Sequence, residues 1–316
     1  MEEKIIHCPI CNTPTSARAF LQTYISPYNN QEYKMYECSN CEVQWWEPLK
    51  MIPEFYEKEI FEEYKFLHMG TREEEQKYKI FFKYFPKNVR GKLFDIGCGD
   101  GLFLKEAKKF GFDVYGIDFD RRSIKTAQQK FNLKNVFALS LEDFYEISKK
   151  QNLNFNVITF FNVLEHQDNP KRFIELVKLL LNTEGWIAGY VPNIESWLHR
   201  KIYIETLNID YPPHHFLWFS KRALEKFLSN EGFDIEVYIG EHSMKEFIIL
   251  FQKALLGKRG QKIEFSLKKN FLKNTKNEKF FRIIKNLRNF FFSPSILLKP
   301  FFQGTYLYFQ GKLRRK

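Results

Sequence analysis

Three groups of residues in this chain are of types and spacings that do chemistry. The first is four cysteines, Cys8-x2-Cys11 and Cys38-x2-Cys41. Each pair places two thiolates in one tight turn, and two such turns facing each other make the tetrahedral sulfur set that Zn²⁺ prefers. With all four ligands from the protein there is no open position, so such an ion is structural, and four plain thiols are the alternative. The second group is the run Leu93-Phe94-Asp95-Ile96-Gly97-Cys98-Gly99-Asp100-Gly101, with Asp118 further on. It reads as an apolar strand, a glycine turn, a helix from about Leu102, and a second strand, Val114 to Ile117, that delivers an acid at its carboxyl end. The third is Glu165-His166 with the later Pro212-Pro213-His214-His215, side chains that can take a proton or hold a divalent ion.

Charge and spacing say what the glycine turn would hold. Alternating glycines let backbone touch a ligand, and the acid after the second strand accepts hydrogen bonds from ribose hydroxyls. A dinucleotide fingerprint needs its third glycine three residues after the second, but Gly101 follows Gly99 by two and Leu102 holds the expected place. Asp95 and Asp100 would also repel a pyrophosphate. S-adenosylmethionine carries a sulfonium and an ammonium and no phosphate, so acids there are favourable. The residues favour a methyl donor over a nicotinamide coenzyme.

The segments beyond the turn extend this reading. Asn156-Val157-Ile158-Thr159-Phe160-Phe161 reads as a fourth strand, followed by Asn162-Val163-Leu164-Glu165-His166 and a helix opening at Asp168-Asn169-Pro170. Leu179 to Trp186 and Val191-Pro192-Asn193 read as the turn into, and the end of, a fifth. From about Lys92 to Gly240 the chain resembles the class I S-adenosylmethionine-dependent methyltransferases. The resemblance implies an α/β fold, a doubly wound, seven-stranded Rossmann-like sheet, here with a small N-terminal zinc ribbon. It places Gly97, Gly99 and Gly101 beside the methionine part, Asp95 at the loop or the ammonium, and Asp118 on the ribose. Phe119 would cover the adenine, Glu142 or Leu141 would lie near its amino edge, and Asn162 would border the cofactor. For Phe119 and Glu142, a packed aromatic and a helix-start acid are equal alternatives. Two residues depart from the pattern: Asn156 stands where the family usually has Asp, and Asn162 where some metal-dependent members have an acid.

Glu165, His166, His214 and His215 are the candidate catalytic residues. They resemble the metal sites of some ubiquinone-pathway and small-RNA O-methyltransferases, in which a divalent ion polarises the acceptor hydroxyl. A histidine general base, that second divalent metal, and purely structural histidines are the three readings. The bacterial methyltransferases that the chain resembles imply O-methylation of a small molecule, a sugar or a lipid-linked glycan precursor. The alternatives are an RNA methyltransferase gripping phosphates with its ribbon and basic segment, a sugar C-methyltransferase, and a non-catalytic adaptor. Against RNA, Asn162-Val163-Leu164-Glu165 occupies the place where base methylation often uses an Asn/Asp-Pro-Pro-aromatic segment.

The elements that must position these groups follow from the rest of the 316 residues, 44% of them apolar, enough for a full core. We expect a zinc ribbon over 1–48, a helical lid over 49–88, the catalytic core over 89–243, a basic amphipathic insertion over 244–303, and a last core strand with a basic tail over 304–316. Leu307-Tyr308-Phe309-Gln310-Gly311 resembles a protease-linker core, but Thr305 replaces the usual Glu, and it reads as native strand. Charge is uneven: from Gly257 to Lys316 there are 16 Lys or Arg against two acids, so this segment is strongly basic while the first 256 residues are slightly acidic. Within it, Phe280, Phe281, Ile283, Ile284, Leu287, Phe290 and Phe291 lie on one helical face and Lys279, Arg282, Lys285 and Arg288 on the other. Such a helix over 279–291 suits an anionic membrane surface, or packing on its own domain. The start shows no signal-peptide pattern, and five cysteines speak for metal or free thiols, so the expected compartment is the cytoplasm, with peripheral contact at the inner face of the membrane.

Overall fold

The computed structural model describes residues 5–15, 19–52, 76–206, 210–240 and 304–315. The expected helix over 279–291 and most of the expected lid lie outside them. Two compact units are present.

The first unit opens with short antiparallel strands. β1 (Ile6–His7) pairs with β2 (Pro14–Thr15), and β3 (Phe20–Ile25), β4 (Glu32–Glu37) and β5 (Gln44–Glu47) form a meander. The β3–β4 turn falls at Pro27 to Asn30, where Asn30 takes φ 55°. Along β4, Tyr33 and Met35 are buried while Glu32 and Lys34 face water, the two-residue period of a half-buried strand. Trp45 and Trp46 are adjacent and both fully buried, so β5 is covered on both faces.

After α1 (Gln76–Tyr84), strands and helices alternate: β6 (Gly91–Ile96), α2 (Leu102–Lys109), β7 (Phe112–Asp118), α3 (Arg121–Phe131), β8 (Val136–Ala138), α4 (Leu141–Lys150), β9 (Phe155–Phe161), α5 (Pro170–Leu180) and β10 (Leu181–Pro192). Then come β11 (Leu217–Trp218), α6 (Lys221–Asn230), β12 (Phe233–Ile239) and β13 (Tyr306–Leu313). The large sheet has the order β12-β13-β10-β9-β6-β7-β8, with β8, β7, β6, β9 and β10 parallel. This is the seven-stranded Rossmann-like sheet that the sequence implied. Helix starts are set by side chains: Asp120 accepts from Arg122 N and Ser123 N, Ser140 from Asp143 N, Asn169 from Arg172 N ahead of Pro170, and Ser220 from Ala223 N. Phe94 in β6 stacks on Phe144 of α4 and Phe155 of β9, at ring centroid distances of 4.3 and 4.9 Å, so the core is aromatic. In β13, Leu307, Tyr308 and Phe309 are fully buried, which makes this segment an integral strand.

The chain winds outward through β6, β7 and β8, then returns to β9 on the other side of β6. A crevice opens at such a reversal beyond the carboxyl ends of the strands, and the loops after β6 and β9 flank it. At the opposite end, Asn156 Oδ1 accepts from Lys92 N at 3.0 Å and ties β9 to β6. The amide oxygen accepts this bond as a carboxylate oxygen could. β11 does not join this sheet. It pairs with β5, Leu217 opposite Trp45 and Trp218 opposite Gln44, and completes a four-stranded sheet of order β11-β5-β4-β3.

The second unit comprises Asn193–Asp210 and Ile239–Tyr306. In its described part a helical turn, Trp197–His199, continues as a π-helix, Arg200–Thr206, with Leu198 and Ile202 buried. Asn193 N donates to Thr305 O at 3.0 Å and Asn193 Nδ2 to Gly304 O at 2.9 Å. Among the described residues, no helix is long and apolar enough to cross a membrane.

Candidate active site

The glycine turn is pinned to the neighbouring strand. Gly97 N and Cys98 N both donate to Ile117 O, at 2.8 and 2.9 Å. Gly97 has φ +72°, and a Cβ there would lie 2.6 Å from Val163 Cγ2, so the loop after β6 touches the loop after β9. Gly101 begins α2 at φ +78°, where a Cβ would meet Leu133 Cδ1 at 2.6 Å and Ala127 Cβ at 2.9 Å. Only glycine fits both positions without strain.

Three acids surround this turn. Asp118 is fixed by two amides, Gly99 N to Oδ2 and Asp120 N to Oδ1, both at 2.9 Å. A carboxylate oxygen can accept more than one bond, so Asp118 keeps acceptor capacity for hydroxyls. Asp100 is fully buried and accepts from Leu102 N at 3.3 Å. Asp95 is 2% exposed. Burial pushes its carboxyl up to about 8, the hydrogen bond from Thr159 opposes this, and the charge of Asp118 adds to it. A cation relieves that strain and a phosphate worsens it. The chemistry of this donor set fits a cationic, phosphate-free ligand such as S-adenosylmethionine, for which Asp95, Asp118 and the glycine backbone are the candidate contacts. Phe119, 40% exposed, follows Asp118 directly. Glu142 lies on the solvent side of the first turn of α4, beside buried Leu141, and Asn162 is exposed in the left-handed region at φ 52°. Cys98 is buried among these acids, its thiol pushed well up by burial and then by Asp118 and Asp95, so it packs as a neutral side chain.

The histidines converge. Leu164–His166 forms a single 3-10 turn after β9, with Glu165 fully buried. One ligand atom from each of His166, His214 and His215 falls within 4.8 Å of the others. His166 Nδ1 is 2.5 Å from His214 O. A carbonyl only accepts, so Nδ1 carries a proton here, and in the neutral tautomer Nε2 is the basic nitrogen. That Nε2 is 3.9 Å from Glu165 Oε1. Backbone bonds hold the group together: Phe216 N donates to Glu165 O at 2.9 Å and His214 N to Tyr211 O at 3.0 Å. The cluster has the geometry of an imidazole held at Nδ1 by a carbonyl with a carboxylate beside its accepting nitrogen, and the donor set of a three-imidazole metal site.

The cysteines form a second centre. Sγ of Cys8 is 3.5 Å from that of Cys41, and Cys11 Sγ is 3.4 Å from Cys38 Sγ. The two knuckles are built alike: Cys8 N bonds Thr13 O and Asn12 N bonds Cys8 O, while Cys38 N bonds Val43 O and Glu42 N bonds Cys38 O. Asn12 and Glu42, the residues after each second cysteine, both have positive φ. The hydrogen bond from Cys8 holds the Cys41 thiol down, and the same contact with burial pushes Cys8 up. Four sulfurs, three buried, fit a tetrahedral Zn²⁺.

Two features escaped sequence reading. In the second unit, His199 Nε2 pairs with Asp210 Oδ2, both residues buried, and no spacing marks them as partners. Thr159, the residue that holds Asp95, is hidden within an apolar strand.

Residues 69–237, more than half of the chain, match the family described as "Methyltransferase domain". The chain is similar to the ubiquinone biosynthesis O-methyltransferase of Paraburkholderia phymatum, 27% identical over 115 residues, 35% of this chain and 49% of that protein. It is also similar to the ubiquinone biosynthesis O-methyltransferase of Glaesserella parasuis, 29% identical over 163 residues, 48% of this chain and 68% of that protein. The match spans about half the length of the first relative. A SAM-dependent methyltransferase structure from Thermotoga maritima superposes with TM-score 0.50 at 13% identity, over 83% of this chain and 100% of that one, a likeness of fold.

Proposed function

The chain belongs to the methyltransferase-domain family, and from that premise we propose that it is an S-adenosylmethionine-dependent O-methyltransferase acting on a small molecule, a sugar or a lipid-linked glycan precursor. The observation that carries this reading is the close approach of Gly97 and Val163, which sets the acidic glycine turn beside the Glu165, His166, His214 and His215 cluster. The similarity to proteins named as ubiquinone biosynthesis O-methyltransferases supports a hydroxyl acceptor.

Bound at Asp95 and Asp118, S-adenosylmethionine supplies a methyl group already activated for in-line displacement. The chain's own part is alignment and proton removal. His166, with Nδ1 committed to His214 O, presents Nε2 as the base for the acceptor hydroxyl. Buried Glu165, 3.9 Å away, stabilises the imidazolium that results. A second reading is that His166, His214 and His215 hold a divalent ion that lowers the acceptor's pKa, and their mutual distances favour it. Cys8, Cys11, Cys38 and Cys41 would hold a structural zinc that crosslinks the small β-unit and takes no part in transfer. A lipid-linked acceptor would be met by peripheral membrane contact through 279–291, and liposome sedimentation of wild type against a Lys279/Arg282/Lys285/Arg288 charge-reversed form tests that.

The decisive experiment is calorimetry with S-adenosylmethionine followed by a donor-consumption screen over phenols, nucleotide sugars and RNA. Turnover on a hydroxyl acceptor is expected, and turnover on RNA alone overturns the proposal.

A further inference from the structure

We propose that the cysteine ribbon is the positioning element for the acceptor-side histidines, with Tyr24 and Trp46 as its positioning residues; the functional meaning rests on the reading above. Phe216 is clamped from both sides. Its carbonyl accepts from Trp46 N in β5 at 3.0 Å, and its amide donates to Glu165 O at 2.9 Å. One residue thus joins the ribbon sheet to the turn that carries Glu165 and His166, and the two residues before it are His215 and His214.

The side chains repeat the connection. Tyr24 of β3 stacks on Tyr211 at 4.3 Å, and Tyr211 O is the acceptor for His214 N. Trp46 packs on Tyr211 at 5.5 Å and edge-on against Trp218 at 5.8 Å. The second cysteine knuckle is fastened to α6, which follows β11: Lys226 Nζ bonds Asn40 O at 2.6 Å and Arg222 lies 3.0 Å from Glu42. β11 is two residues long and its sheet partner is β5. So short a strand depends on its sheet neighbour to keep its extended form. A small β-unit held by four sulfurs loses that rigidity with its metal. The glycine turn is anchored on β7 instead, so donor binding should be independent of the ribbon.

The test follows the imidazole signals of the full chain by NMR with labelled histidine. His7 in β1 reports on the ribbon, and His166, His214 and His215 report on the site. In His166→Ala, which lacks the three-imidazole set and so can lose only a sulfur-bound ion, stripping zinc with a chelator should move His7, His214 and His215 together, and added Zn²⁺ should restore all three. Tyr24→Ala should shift His214 and His215, and Tyr24→Phe, which keeps the stacked ring, should return them to their wild-type positions. S-adenosylmethionine affinity should change by less than about twofold throughout. The proposal is overturned if His7 moves on chelation while His214 and His215 stay, or if Tyr24→Ala leaves them unmoved. Failure of wild type to bind S-adenosylmethionine defeats methyl transfer instead, and the imidazole signals still decide the coupling.

Discussion

Thr159 Oγ1 donates to Asp95 Oδ1 at 2.7 Å in the interior between β9 and β6, and this bond stands against the burial that pushes Asp95 up to about 8. Near pH 7 Asp95 is therefore largely protonated, and a cationic ligand lowers its pKa and expels the proton. Binding of S-adenosylmethionine should release up to about one proton at pH 7, measured by calorimetry in two buffers of different ionisation enthalpy, and should tighten as pH rises towards 8. Binding without proton release would remove Asp95 from the ligand's surroundings.

The same shift makes a statement about stability. An acid whose folded pKa lies above its unfolded one binds its proton more tightly when folded, so folding stability falls as pH rises from about 4 to about 8. Asp95→Asn, which resembles the protonated side chain, should flatten that slope in denaturant titrations across this window and weaken S-adenosylmethionine binding at pH 8.

Gly101→Ala should cost about 1–3 kcal/mol, from a left-handed backbone and a Cβ pressed against Leu133 and Ala127. Urea unfolding reads this directly. A loss below about 0.5 kcal/mol would mean that α2 and α3 slide apart at no cost.

Metal analysis separates the two catalytic readings. Wild type should carry one zinc per chain, and Cys38→Ser should lose it and unfold the β-unit at lower denaturant. If a second ion is present in wild type and absent from His166→Ala, the three-imidazole metal site is established. One zinc in both, with turnover lost in His166→Ala, leaves His166 as the base.

Asp210→Ala should destabilise the chain by about 1–3 kcal/mol, because it leaves the buried His199 Nε2 without its carboxylate partner. The Asp210→Ala, His199→Ala double mutant should cost less than the sum of the two singles.

Much of this protein was legible from local signals. The glycines, the acid ending β7, the caps at Asn169 and Ser220 and the paired cysteines act over a few residues, and the seven-stranded sheet was implied by the family resemblance that those motifs carry. Glu165, His166, His214 and His215 were legible as residue types, but their convergence was not, because 47 positions separate His166 from His214 along the chain. β11 carries no signal of its own. Two residues have no period to read, and only the edge of β5 makes them a strand.

By itself, the sequence determined the acidic glycine turn and the two cysteine knuckles, since both are made within short stretches where backbone freedom and charge depend on neighbours in the chain. The tertiary structure alone decided that the ribbon and the histidine segment share one sheet, and that Asp95 is buried against Thr159. Those outcomes depend on which edges and faces meet once the core has closed, and no stretch of chain contains that information.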